Sequence, residues 1–256
     1  MTPPAIYPDL KNASVFITGG GSGIGAAITE GFLEQGARVA FVQRSDGHTF
    51  ADVMEEKYGR RPLAMRCDVT KVAELRACVA KAAETQGPIR ILVNNAANDQ
   101  RHSTLEVDEA FWDWSMAINL KAYFFAAQAV IPGMQEAGGG AIVNMSSISY
   151  MMGSPDYPAY TTANAGITGM TRSLAREFGP QKIRVNALAP GWVLTEKQKE
   201  MWATPEGLEA HLAKTALKEH LEPRDMVGGI LYLASDASRR MTGQCMAVDG
   251  GVVVSG

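Results

Sequence analysis

The chain has 256 residues, 46% of them hydrophobic, enough to fill the core of one large domain. A net charge of −3 and a pI near 5.9 give no electrostatic footprint for DNA or RNA, so no nucleic-acid partner is expected. Cys67, Cys78 and Cys245 lie far apart without a CxxC pair, and His48, His102, His211 and His220 lack ligand spacing, so no metal is expected.

The N-terminal stretch MTPPAIYPDLKN has no basic region followed by an apolar run. The most apolar stretch, AYFFAAQAVIPGM, is short and interrupted by Gln128 and Pro132, so it cannot span a bilayer. A soluble, cytoplasmic protein without a membrane partner is the expectation. From the start, Ser14 to Thr18 reads as a strand, followed by a glycine-rich turn and a helix to about Gln35. Ala37 to Val42 and Pro62 to Cys67 read as the second and third strands, with a helix from about Lys71 to Thr85. Ile89 to Val93 is the fourth, and Phe111 to Gln135 has helical periodicity. Gly140 to Met145 is a fifth strand, Tyr157 to Phe178 a helix, Ile183 to Leu188 a sixth strand and Gln244 to Val248 a last one. Continuously apolar strands point to a sheet buried on both faces, and their alternation with helices to a doubly wound parallel α/β sheet of about seven strands. No linker divides residues 1–256, so a single α/β domain is predicted. The segment 195–223 is charged and lacks a strand, and reads either as a surface helix pair or as a substrate lid.

Sheets of this kind take ligands beyond the carboxyl ends of their strands. The run TGGGSGIG, Thr18 to Gly25, follows the first strand and opens the first helix. Gly19, Gly23 and Gly25 suit a tight turn, close backbone approach to a pyrophosphate, and a helix N-terminus aimed at it. An acidic residue ending the second strand would hold the ribose hydroxyl of NAD; Gln43 and Arg44 stand there instead, and a cation could accept the 2′-phosphate of NADP. Arg44 could equally be a solvated loop charge. Asp68, after the third strand, would line the adenosine side or cap the next helix, and Asn94 and Ala96 follow the fourth.

TGGGSGIG, NNAA at Asn94 to Ala97, Asn119, Ser146-Ser147, Tyr160, Pro190-Gly191 and the closing VDGG together resemble the short-chain dehydrogenase/reductase family over almost the whole chain. The resemblance implies a Rossmann domain, NAD or NADP as cofactor, and a homotetramer built on the two long central helices. It places the cofactor against Gly19, Ser22, Gly23, Ile24, Gly25, Gln43, Arg44, Ser45, Asp68, Val69, Asn94, Ala96, Ala97, Tyr160, Asn164, Pro190, Gly191, Val193 and Thr195. AIYPDL, NNAANDQRH and TEKQKEMWATPEG look like those of sugar 1-dehydrogenases, which oxidise an aldose at its anomeric carbon to a lactone. A polyhydroxylated ligand needs polar partners and an aromatic face, for which Asn98, Gln100, His102, Ser147, Ser149, Tyr150, Trp192, Gln198 and Trp202 are the candidates.

In the chemistry the family implies, Ser147 binds the substrate oxygen, Tyr160 exchanges its proton, and Asn119 holds a water in the proton path. A lysine four residues after the tyrosine would bind the nicotinamide ribose and stabilise the phenolate. Here that position is Asn164. A phenol titrates near 10 in a model peptide, so about one in a thousand is ionised at pH 7. A nearby cation worth roughly two to three units corresponds to a rate factor of the order of 10²–10³. Asn164 leaves three accounts open: a substitution that disables a dehydrogenase, a natural variant of altered chemistry, or a binding protein that has kept the fold. Another hydroxyl or carbonyl substrate (a hydroxy acid, a steroid or a 3-oxoacyl thioester) is the alternative within the family.

Overall fold

The computed structural model describes residues 5–254. In chain order the elements are β1 (Ser14–Thr18), α1 (Gly23–Glu34), β2 (Arg38–Gln43), α2 (His48–Tyr58), β3 (Leu63–Arg66) and α3 (Val72–Gln86). There follow β4 (Ile91–Asn94), α4 (Glu109–Met116), a π-helical turn (Ala117–Lys121), α5 (Ala122–Glu136), β5 (Gly140–Met145), α6 (Ser149–Met152) and α7 (Pro158–Phe178). The chain closes with β6 (Ile183–Pro190), α8 (Glu196–Met201), α9 (Pro205–Lys214), α10 (Asp225–Ala234) and β7 (Cys245–Val248).

The seven strands form one sheet in the order β3-β2-β1-β4-β5-β6-β7, and every pairing is parallel. All five residues of β1 are buried, as a strand covered on both faces requires. One face is packed by Ile28 and Phe32 of α1, Met54 of α2, and Met226 and Ile230 of α10. Leu75 and Val79 of α3, Ala126 and Val130 of α5, and Leu174 of α7 pack the other. The doubly wound sheet expected from the sequence is therefore the fold. The order in which strands are added reverses between β1 and β4, which opens a crevice beyond the carboxyl ends of these strands.

Three departures from the sequence reading have physical causes. Helix α2 went unread because its polar composition buries only Ala51 and Met54, and its N-cap, Gly47, has no capping side chain. Helix α10 was missed because Gly228 and Gly229, both poor helix formers, stand adjacent in a run of only ten residues. The single helix expected from Phe111 to Gln135 is two helices joined by the π-turn, which holds Asn119 at its centre. Segment 195–223 contains α8 and α9, neither of which has a fully buried side chain.

Candidate active site

The glycine turn fills the gap between β1 and α1. Gly19 has φ +70, and a Cβ on Gly25 would lie 1.8 Å from the Gly19 carbonyl oxygen, so the turn closes only with glycine at both places. Asn95 braces it: its side-chain amide donates to the carbonyls of Thr18 at 3.1 Å and Gly19 at 3.0 Å. The Thr18 hydroxyl in turn accepts from the backbone amides of Asn95 and Ala96. Ser22, the N-cap of α1, makes no capping bond with its side chain. The first turn of α1 is thus free to meet an anion.

From this turn a cleft of about 1000 Å³ runs across the carboxyl ends of the strands. Gly19, Ser22, Gly23, Ile24, Gly25, Gln43, Arg44, Ser45, Asp68, Val69, Ala96, Ala97, Tyr160, Pro190, Gly191, Val193 and Thr195 all line it, as do Asn98, Ser147, Ser149, Trp192 and Gln198. At the β2 end the Gln43 amide donates to the Asp46 carbonyl, and Arg44 is exposed with no ion pair among the described residues. Asp68 does not cap α3, whose N-cap is Lys71; its carboxylate accepts from the Thr70 amide at 3.0 Å and hydroxyl at 2.7 Å. Burial would raise the Asp68 pKa, but the Thr70 bonds, with Lys71 and Arg44 nearby, hold it below the usual carboxylate value.

Several sequence-predicted residues lie elsewhere. Asn94 is fully buried, and its amide donates to the Tyr123 carbonyl and to Asn144, so it ties β4 to α5 and β5 and does not reach the cleft. His102 points away: its Nδ1 pairs with the Gln100 carbonyl, its Nε2 accepts from the Ala159 amide, and its ring packs on Phe111. Tyr150 is turned toward β7, its hydroxyl 3.8 Å from the Cys245 sulfur. Trp202 stands outside the cleft lining, with the Arg101 guanidinium over its ring. The backbone amide of Gln100 is bound to the Asn98 side chain, which makes Gln100 part of a turn.

Asn119 is buried, and both ends of its amide are engaged by Asn98: Oδ1 accepts from the Asn98 amide at 2.8 Å and Nδ2 donates to its carbonyl at 3.0 Å. In this geometry Asn119 holds the loop after β4. Asn164 is also buried, and its amide donates to the carbonyl of Tyr160 one helical turn back, at 2.9 Å. Its own carbonyl accepts from the Ser146 and Thr168 hydroxyls. Position 164 therefore offers the site no charge.

Tyr160 lines the cleft beside Ser147, whose hydroxyl accepts from the Ser149 amide at 3.2 Å. Burial and the Asp99 carboxylate push the Tyr160 phenol up to about 12, against the opposing pull of the Asn164 amide and Ser147 hydroxyl. The Ser149 hydroxyl is buried and finds no hydrogen-bond partner in the protein.

Among the cleft residues that escaped the sequence reading are Asp99 and Arg101. Asp99 accepts from Lys197 Nζ at 2.9 Å and from the Gln198 amide, and Gln198 Oε1 accepts from the Trp192 indole at 2.9 Å. Arg101 lies 5.0 Å from the ring centre of Tyr157 and 5.2 Å from that of Trp202. The only sequence signal for them is a charge pair, D-x-R, within a polar loop after β4.

The family model described as Enoyl-(Acyl carrier protein) reductase matches residues 19–253. The chain is 46% identical over 252 residues to the protein named "Probable galactose dehydrogenase GalD" of Rhizobium meliloti, with 98% of each chain covered. It is 44% identical over 250 residues to D-xylose 1-dehydrogenase of Caulobacter vibrioides, covering 96% of this chain and 98% of that one. Among solved structures it superposes, with a TM-score of 0.90 and 35% identity, on a protein of Sinorhizobium meliloti 1021 provisionally named a short-chain alcohol dehydrogenase; 96% of this chain and 98% of that one are covered.

Proposed function

The chain belongs to the short-chain dehydrogenase/reductase family, and from that premise we propose that it oxidises an aldose at its anomeric carbon to the lactone, with NADP as the favoured hydride acceptor. Dehydrogenases of this family use NAD(H) or NADP(H). The residues present fit such a cofactor: the glycine cradle leaves no room for a side chain at Gly25, and the open first turn of α1 suits a pyrophosphate. The bound nicotinamide would supply the hydride acceptor. The observation that carries the reading is one continuous cleft lined by this cradle and by Ser147 and Tyr160. Relatives named for galactose and D-xylose support a sugar as the substrate.

In this reading Ser147 and Tyr160 hold the anomeric hydroxyl, Asn98 bonds a further hydroxyl, and Trp192 covers an apolar face of the ring. Segment 195–223 is the lid. With its phenol at about 12, only about one Tyr160 in 10⁵ is ionised at pH 7, so proton removal is slow in this form. Asn164→Lys is expected to raise kcat by about 10²–10³, measured as nicotinamide reduction with a panel of aldoses and both cofactors. No oxidation of any aldose by the lysine form would overturn the reading. Asn164 also supports a second reading, a protein that binds cofactor or sugar without turning it over; its mark is binding by calorimetry with no reaction in either form.

The NADP preference rests on Arg44, exposed at the cleft rim beside Asp68. Arg44→Asp should reverse the ratio of KM values for NADP and NAD, and an unchanged ratio would sink that assignment. The proposal extends to a cytoplasmic homotetramer, supported by Trp112 and Phe124, which are exposed on α4 and α5. Sedimentation would count its subunits. No described helix is long and apolar enough to cross a membrane.

A further inference from the structure

The helix that carries Tyr160 begins without a cap of its own. Tyr157 occupies the N-cap position of α7, and its side chain makes no capping bond. Pro158 follows and has no amide hydrogen to satisfy, so the first orphan donor of the helix is the backbone amide of Ala159. Its acceptor comes from the loop after β4, 57 residues earlier: His102 Nε2, at 3.2 Å. A second bond runs the other way, the His102 backbone amide donating to the Asp156 carbonyl at 2.6 Å. Phe111 of α4 packs against the imidazole, with ring centres 4.7 Å apart.

These contacts fix the chemical form of the imidazole. Nε2 accepts from Ala159 only when it carries no hydrogen. Nδ1, 2.9 Å from the Gln100 carbonyl oxygen, then carries the single hydrogen of a neutral ring and donates it there. The opposite tautomer would set Nε2–H against an amide N–H and a bare Nδ1 against a carbonyl, so both bonds would fail together. An imidazolium would keep the Gln100 bond and lose the acceptor.

Tyr160 is the residue after the capped amide, and its phenol lines the cleft beside Ser147. The Tyr160 ring lies against that of Tyr157, centres 5.5 Å apart, and the Arg101 guanidinium lies 5.0 Å from the Tyr157 ring centre. Consecutive loop residues therefore hold both neighbours of Tyr160: Arg101 the ring packed on it, His102 the backbone before it. We propose that His102 is a positioning residue for Tyr160: as the neutral, Nδ1-protonated imidazole it caps α7 and fixes where the phenol stands in the cleft. It acts through Ala159 and does not touch the reacting atoms, a role unlike the sugar contact expected from the sequence. A first turn that frays displaces the group it carries, and a misplacement of about 1 Å can cost 10²-fold in rate. This inference rests on the proposed role of Tyr160 in proton exchange.

The test compares the full chain with His102→Phe, which keeps a ring against Phe111 but accepts nothing, and His102→Gln, whose amide can both accept and donate. Nitrogen-15 spectra of the parent, with the His102 signals assigned by their loss in His102→Phe, are expected to show a hydrogen on Nδ1 and none on Nε2. A hydrogen on Nε2 would overturn the proposal. Exchange of the Ala159 amide should quicken about tenfold in His102→Phe and slow again in His102→Gln. The ¹³C-tyrosine resonance of Tyr160, assigned by its loss in Tyr160→Phe, should move in the phenylalanine variant and return in the glutamine one. In the Asn164→Lys background His102→Phe is expected to lower kcat about tenfold with KM for NADP unchanged, and His102→Gln to restore most of it. A histidine that only braces the fold would lower the unfolding midpoint and leave the Tyr160 resonance and kcat in place, which overturns the positioning role. A loss that glutamine does not relieve at all overturns the capping role. Nitrogen and tyrosine signals as expected, with no aldose oxidised even by Asn164→Lys, would sustain the positioning and remove the sugar reading instead.

Discussion

Ser149 illustrates how one side chain can cost the fold stability. Its buried hydroxyl has no partner in the protein, a state that costs about 1–3 kcal/mol until something bonds it. Ser149→Ala is therefore expected to stabilise the protein by about 1 kcal/mol, which denaturant unfolding would check. Gly19, Ser147 and Tyr160 were legible because short spacings set them, and each lies at the end of a strand or on a helix face that periodicity defines. Asn94, His102 and Tyr150 were misplaced because spacing fixes where a Cα lies but not which way its side chain turns. Asn94 is spent on Asn144 and Tyr123, and His102 on Ala159. Asp99 escaped for another reason: its partners Lys197 and Gln198 are 98 and 99 residues away, and nothing local announces them.

At the scale of elements, α1 and α10 cross closely on one face of the sheet, and Gly31 makes the crossing possible. A Cβ there would lie 2.3 Å from Cγ1 of Val227, a stiff branched side chain in a buried helix. Gly31→Ala is expected to destabilise by about 1–3 kcal/mol, and pairing it with Val227→Ala to recover much of the loss; urea unfolding of the three variants decides. This crossing could not be foreseen, because α10 itself was not. Of its buried residues, Met226, Val227, Ile230, Leu231 and Ala234 do fall on one helical stripe, but two adjacent glycines within only ten residues make the run a poor helix former. Long regular elements such as α7 were legible to within a residue or two, since 21 residues of helical pattern leave little ambiguity.

For the molecule as a whole, a polar cluster joins α1, α2 and α10. Glu30 accepts from Lys57 and Tyr58, and Arg224 of α10's N-cap pairs with Glu34. Burial would raise the Glu30 pKa, but the bonds from Lys57 and Tyr58 and the nearby Arg224 charge bring it down. A carboxylate with a depressed pKa in the folded state stabilises the fold above its unfolded value, near 4.3, and that contribution fades as pH falls through the folded value. Thermal unfolding between pH 6 and pH 3 should show this loss, with a shallower decline in Glu30→Gln. The parallel sheet has one more consequence. Every loop of the cleft leaves a carboxyl end of a strand, while the turns that re-enter the sheet, at Gly59, Gly87 and Gly138, lie at the opposite pole. A Cβ at any of these three would meet nothing within 4 Å. That pole is a blank handle: a tether, a fusion or a sensor surface fastened there would leave the reactive mouth facing solution.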